Sequence, residues 1–265
     1  MLSRLAKKSR ALSVLYWWLL EFGFDPRKLA RALAQLPRYV GNLRRFRKSF
    51  NGELRLRPSL HDSHETAGAV GSEYFWQDLW VAQKIFRANP VRHVDVGSRI
   101  DGFVAHVASF RSLEVLDIRE VPVSIPGVDF RQADLMRPPR QLIGFTPSLS
   151  CLHALEHFGL GRYGDPLSVD GHLEGMRSLS QLISLGGILY LGCPTGRLRV
   201  EFDSHRVLDP MLIVDVGREA GLVLESLVAL KGQGVFEDVG VSADSLRELS
   251  LREYSLCIYV FRKVA

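Results

Sequence analysis

The stretch His93-Val94-Asp95-Val96-Gly97-Ser98-Arg99-Ile100-Asp101-Gly102-Phe103 constrains the fold of this chain more than any other. An alternating apolar stub ends in an acid, a glycine-containing turn follows, and Phe103-Val104-Ala105-His106-Val107-Ala108 begins a helix. Strand, tight turn and helix start form the crossing at which backbone N–H groups approach a ligand. Glycine is needed there because the ligand leaves no room for a Cβ. The three-glycine fingerprint of dinucleotide sites is absent. Arg99 and Asp101 stand where it has glycine, so little is offered to a pyrophosphate.

Strands and helices alternate from this point. The helix predicted from Ser72 to Phe86 ends at Asn89-Pro90. Val94–Val96 is a strand followed by a helix over 102–110, and Leu113–Leu116 is a second strand ending at Asp117. Val128–Phe130 and Leu149–Leu152 are the third and fourth. A helix over 171–184 carries Leu173, Met176, Leu179, Leu182 and Ile183 at helical spacing, and Gly186-Gly187 reads as its C-cap. Ile188–Leu191 is the fifth strand, Asp209-Pro210 opens another helix, and Leu222–Leu230 and Ser255–Phe261 are the last two strands. This alternation predicts an α/β fold with a mainly parallel sheet covered on both faces.

Ligands of such sheets sit at the carboxyl ends of strands, and polar residues gather at those ends. Asp95, Gly97 and Ser98 close the first strand, with Arg99 beside the methionine end of a ligand. Asp117, with Ile118 next to it, is placed to accept from two ribose hydroxyls. Asp134 is placed to accept from an adenine amino group, with Leu135 along the ring. His153 opens the loop after the fourth strand. There Glu156 and His157 are general-base types, and Arg162, Tyr163 and Asp165 share the same short loop. Asp203, His205 and Arg206 follow the fifth strand and would close the cleft from the other side. Arg199 and Arg206 have the geometry to clamp an acceptor phosphate; surface pairs with Glu201 and Asp203 are the plainer alternative. The candidate catalytic set is His157, Glu156 and His205, and the candidate acceptor set is Tyr163, Arg162, Asp203 and Arg206. His61 and His64, or His157, His205 and Asp203, could hold a metal, but none is expected.

Residues 90–263 resemble class I S-adenosylmethionine-dependent methyltransferases, and more closely a bacterial methyltransferase-like family of unknown function. The likeness lies in residues 93–103, in Ser150-Cys151-Leu152-His153-Ala154-Leu155-Glu156-His157-Phe158-Gly159-Leu160-Gly161-Arg162-Tyr163-Gly164-Asp165, and in Arg199-Val200-Glu201-Phe202-Asp203-Ser204-His205-Arg206. The segment 186–191 and the final strand also match the fifth and seventh strands of those enzymes. The resemblance implies a Rossmann-like seven-stranded sheet with its last strand antiparallel, and S-adenosyl-L-methionine as cofactor. The family's association with bacterial surface polysaccharides implies a sugar or glycan-precursor acceptor, nucleotide- or lipid-linked, with O-methylation as the reaction. The rivals are a nucleic-acid methyltransferase and a non-catalytic module docked on a membrane. The missing Asn/Asp-Pro-Pro-Tyr motif argues against methylation of a base amino group, so a nucleic-acid partner is not expected.

The charge is uneven. Residues 1–60 hold 14 Lys and Arg against three acids, so the net +5 of the chain leaves about −6 for the remainder. Residues 1–50 form a basic helical extension, 51–72 a turn-rich linker, and 73–265 the methyltransferase-like domain. One helix covers 1–24; a second starts at Asp25-Pro26 and stops before Pro37. Aromatics interleaved with arginines over 38–50 suit a membrane surface or a phosphate-rich partner, or they dock on the main domain. The apolar run Leu12–Leu20 lacks a cleavage site and is too short to span a bilayer. Cys151, Cys193 and Cys257 form no C-x-x-C pair, so reduced thiols and a cytoplasmic protein, peripheral to the inner membrane face, are expected. A homo-oligomer is compatible with all of this.

Overall fold

The computed structural model describes residues 2–60, 70–232 and 234–265. The chain forms two compact units, residues 1–69 and 70–265.

The first unit holds α1 (Leu2–Glu21) and α2 (Pro26–Arg47). Asp25 caps α2, its carboxylate accepting from the backbone N–H of Arg27 at 2.9 Å and of Lys28 at 3.1 Å. Pro26 occupies the first helical position, where a missing N–H costs nothing. The expected stop before Pro37 does not occur; the helix runs through it to Arg47. Proline removes the bond to the carbonyl four residues back, and here that residue, Leu33, is exposed, so water can take the carbonyl.

The second unit opens with α3 (Glu73–Ala88), capped by the Ser72 hydroxyl and closed by Asn89 in a left-handed conformation. β1 (Val94–Val96), α4 (Ala105–Ala108), β2 (Leu113–Asp117), β3 (Val128–Gln132) and β4 (Thr146–Leu152) follow, then α5 (Gly171–Leu182) and β5 (Ile183–Thr195). A hairpin of β6 (Arg199–Glu201) and β7 (His205–Val207) precedes α6 (Pro210–Glu219), β8 (Leu222–Leu230), β9 (Phe236–Asp238), α7 (Ala243–Ser250) and β10 (Ser255–Lys263). The main sheet has the order β3-β2-β1-β4-β5-β10-β8-β9. β1 to β5 pair in parallel, and β10 is antiparallel to both β5 and β8. This is the mainly parallel α/β sheet that the alternation predicts, in the Rossmann-like arrangement that the resemblance implies. It carries one strand more than expected, because β9 adds an antiparallel edge to β8.

Alternate strand residues serve opposite faces of the sheet. Val94, Val96 and Leu116 join Met176, Leu179 and Ile213 in one core, while Leu113 and Val115 join Val81, Ile85 and Phe103 in the other. Full burial of each such side chain contributes about 1.5–3 kcal/mol. The Gly186-Gly187 pair does not cap α5, which ends at Leu182; both glycines lie inside β5. Gly186 has φ +79, and a Cβ on Gly187 would lie 2.9 Å from the Pro147 carbonyl oxygen. The pair lets β5 bend where its register against β4 shifts.

Candidate active site

A cavity of about 790 Å³ opens at the carboxyl ends of β1 to β5, within the range of small-ligand sites. Its floor is the turn after β1. Gly97 has φ +69, and a Cβ there would meet the Ala154 Cβ at 2.8 Å, so close packing against the β4 loop demands glycine. Asp95 and Ser98, expected as ligands of the cofactor, lie beneath this turn and off the cavity wall. Ser98 donates to Asp95 through Oγ at 2.7 Å and through its backbone N–H at 3.1 Å, and Ser150 Oγ donates to the same carboxylate. Burial pushes the Asp95 pKa up to about 7, against the pull of those hydrogen bonds. Burial pushes His93 down to about 3, and its neutral ring bridges Ser148 Oγ at 2.8 Å and Ser150 Oγ at 3.1 Å. These five residues fasten the turn to β4.

Arg99 lines the cavity without plugging it. Its guanidinium forms a two-point pair with Asp101 at 2.7 and 3.0 Å, with both side chains largely in solvent. The next wall holds Asp117 and Ile118 at the end of β2, and Asp134 and Leu135 after β3. Asp117 is bound on both oxygens by Arg119, at 2.6 Å from Nη2 and 3.0 Å from Nε. The Arg119 guanidinium also lies 4.4 Å from the centre of the Tyr163 ring. Asp134 accepts from the Met136 N–H at 2.9 Å, and Leu116, Ala133 and Met136 make this wall apolar.

The opposite wall is built on the loop after β4. His153 takes φ +53, which a histidine adopts only where its surroundings hold it. Its Nδ1 meets Glu156 Oε1 at 2.8 Å, and its ring lies 4.3 Å from that of Tyr74. Burial alone would strip the proton from His153, but the hydrogen bond and charge of Glu156 outweigh it, and the pKa is raised. Burial would likewise favour a neutral Glu156, but the bond to His153 and the charges of His153 and His157 hold its pKa down. The two form a buried ion pair. His153 Nε2 and Glu156 Oε2 are left without hydrogen-bond partners in the wall of the cavity. His157 differs: burial lowers its pKa against the pull of Glu156. Its Nδ1–H donates to the Ser204 carbonyl at 2.8 Å, so Nε2 keeps its lone pair, 4.0 Å from Glu156 Oε1.

The remaining expected residues divide. Arg162, Tyr163 and His205 line the cavity. Asp165 shapes their loop, accepting from the N–H groups of Gly159, Gly161 and Tyr163. Asp203 sits exposed in the β6–β7 turn, off the cavity. Arg206 is buried and holds no acceptor. It donates to the carbonyls of Glu156, Phe158, Ser168 and Val169 at 2.6–3.4 Å. Arg199 pairs with Glu201 at 2.9 Å and donates to the Glu253 carbonyl. The expected Arg199–Arg206 phosphate clamp is therefore not formed. His61 and His64 lie outside the described residues.

Several wall residues escaped the sequence reading, five of them with charged or aromatic side chains. Glu73 and Tyr74 come from the first turn of α3 and Tyr254 from the turn before β10, with the Tyr254 hydroxyl donating to Glu73. Arg119 and Phe158 follow recognised positions by two and one residues. Only Arg119 carried a signal, as a cation spaced to pair with Asp117.

Solved structures share this fold. The [4+2]-cyclase SpnF aligns with a TM-score of 0.50 at 15% identity, over 71% of this chain and 81% of that one. A putative sarcosine dimethylglycine methyltransferase from Galdieria sulphuraria aligns at 0.49 and 11% identity, over 71% and 85%. The 1,6-didemethyltoxoflavin-N1-methyltransferase of Burkholderia thailandensis, solved with 1,6-didemethyltoxoflavin and S-adenosylhomocysteine, aligns at 0.49 and 13%, over 71% and 79%. A family profile described as "Caenorhabditis protein of unknown function, DUF268" matches residues 117–215. No curated protein matches the sequence.

Proposed function

The chain has the fold of the class I S-adenosylmethionine-dependent methyltransferases, and we propose that it methylates a hydroxyl of an uncharged sugar or glycan precursor. The observation that carries the reading is a pair of buried atoms in residues of the cavity wall that lack hydrogen-bond partners, the acceptor Glu156 Oε2 and the donor His153 Nε2, whose nearest charge is Glu73 Oε1 at 3.8 Å. Unpaired buried polar groups cost about 1–3 kcal/mol each, which a ligand able both to donate and to accept relieves. A polyol does this.

The donor set suits the cofactor. Asp117 and Asp134 stand at successive strand ends beside an apolar wall of Leu116, Ala133, Leu135 and Met136, a match for a ribose and an adenine ring. Among the described residues, six carboxylates and four arginines line the cavity, a balance that favours a cationic sulfonium. Each arginine is already engaged: Arg99 by Asp101, Arg119 by Asp117, Arg162 by the Ser204 carbonyl, Arg199 by Glu201. Such a wall favours an uncharged acceptor over a phosphate. Tyr74, Phe158 and Tyr163 also line the cavity, apolar rings of which two carry polar edges, the kind of surface on which a sugar packs.

When bound, the cofactor supplies an electrophilic methyl group. His157 Nε2 takes the acceptor's hydroxyl proton as its oxygen attacks. The Glu156 carboxylate, 4.0 Å away, stabilises the imidazolium that forms. Positioning of the acceptor by the two unpaired groups does the rest. The expected result is transfer of labelled methyl to neutral glycans, with His157→Gln lowering kcat about 10²- to 10⁴-fold while S-adenosylhomocysteine affinity stays within twofold. No detectable S-adenosylhomocysteine binding by calorimetry would sink the proposal.

A further inference from the structure

α2 carries no acid, and its cations include Arg27, Arg31, Arg38 and Arg45. At about 100° per residue, Leu29, Leu33, Leu36, Val40 and Leu43 fall within an arc of about 80°, while those four arginines fall on the opposite side, Lys28 and Arg44 flank the stripe, and Arg47 ends it at the last residue of the helix. None of these residues is buried, and Leu33 is 56% exposed. Just before α2, Trp17, Trp18, Phe22 and Phe24 are also exposed. A helix that buries nothing while displaying a continuous aliphatic stripe has an unmet partner.

We propose that α2, with the aromatic segment before it, is an interfacial anchor that seats this protein on an anionic lipid bilayer. The stripe enters the boundary between headgroups and acyl chains, and the cations face the anionic headgroups. Indole rings favour that same depth, being apolar in body with one polar edge. Residues 61–265 carry about −6, so the basic helix sets which part of the molecule meets a negative surface. Nucleic acid fits less well. Phosphates would engage the arginines, but an aliphatic stripe offers neither stacking faces nor hydrogen bonds to bases. No described helix is long and apolar enough to cross a membrane, so the contact lies in the plane of the surface.

The test is sedimentation of the full chain with vesicles of phosphatidylglycerol and phosphatidylcholine, against phosphatidylcholine alone. The proposal expects binding to the anionic vesicles only, weakening as salt rises. Arg31→Gln/Arg38→Gln/Arg45→Gln should lower the partition coefficient about 100-fold at low salt, about fivefold per charge. Leu33→Glu/Leu36→Glu should abolish binding with the unfolding midpoint unchanged. The proposal is overturned by equal binding to neutral vesicles, by no binding at all, or by an RNA duplex that displaces the vesicles. It is equally overturned if the double glutamate variant unfolds at lower temperature while vesicle binding persists, since the stripe would then be packing on protein. None of these results depends on methyl transfer, so the two proposals fail separately.

Discussion

Replacing Arg119 with alanine tests whether Asp117 holds a ribose. A carboxylate offers about four acceptor positions. Arg119 takes three of them: its backbone N–H and Nε reach Oδ1 at 2.8 and 3.0 Å, and Nη2 reaches Oδ2 at 2.6 Å. Two ribose hydroxyls need two positions, so one guanidinium bond must yield on binding. The arginine side chain is 46% exposed and the aspartate 10%; with solvent screening the pair is worth about 1 kcal/mol. Arg119→Ala removes the competitor, and S-adenosylhomocysteine should bind about fivefold tighter, the equivalent of that 1 kcal/mol. Asp117→Ala removes the acceptor itself. Losing hydrogen bonds to a charged group should weaken binding by about 2–3 kcal/mol, roughly 30- to 150-fold. Isothermal titration reads both. If Arg119→Ala weakens binding and Asp117→Ala leaves it unchanged, Asp117 serves only to fold its own loop and the ribose assignment is wrong.

Three further outcomes follow from the cavity. Because burial lowers the His157 pKa, the rising limb of the kcat/KM profile should lie below the ordinary imidazole value of about 6.5; a limb centred above it would exclude His157 as the base. The buried pair makes stability depend on pH with two signs. Glu156, held below its unfolded value, contributes stability that is lost as pH falls through its folded pKa. His153, held above its unfolded value, contributes stability that is lost as pH rises through its folded pKa. Glu156→Gln should therefore cost about 3 kcal/mol, most between roughly pH 5 and 6.5, where both charges exist in the unfolded chain as well; a pH-independent loss in chemical unfolding would refute the pair. Gly97→Ala should destabilise by about 1–2 kcal/mol from its left-handed backbone alone, and by more because its Cβ meets Ala154; unchanged urea unfolding would show that the turn relaxes freely.

How much of this was readable from the residues depended on whether a position was decided locally. β1 is where alternation and the following glycine put it, β8 has its predicted range, and β2 and β10 differ from theirs only at their C-terminal ends. α2 runs through Pro37 where Leu33, whose carbonyl loses its helical partner, is exposed to solvent, a circumstance the sequence does not mark. β6, β7 and β9 have three residues each, too few to show a period. Within the site, Asp117 and Asp134 are strand-end acids that line the cavity, whereas Asp95 and Arg206 have the right chemistry and point elsewhere. Asp95 is engaged by two serines from different segments, and Arg206 by four carbonyls, and neither arrangement leaves a local mark. Glu73, Tyr74 and Tyr254 come from positions up to 181 residues apart and meet only through the tertiary fold.

Arg206 also bears on the side of the cavity proposed for the acceptor. One guanidinium spans the chain from Glu156 to Val169 and ties it to β7, so the loop that carries His157 is fastened to the hairpin. On the proposed reading, a substrate that displaced the hairpin would also shift the His157 backbone, so a poor fit at the rim would be felt as a misplaced base. Selection among acceptors can thus be exerted by hairpin residues that never touch the reacting oxygen.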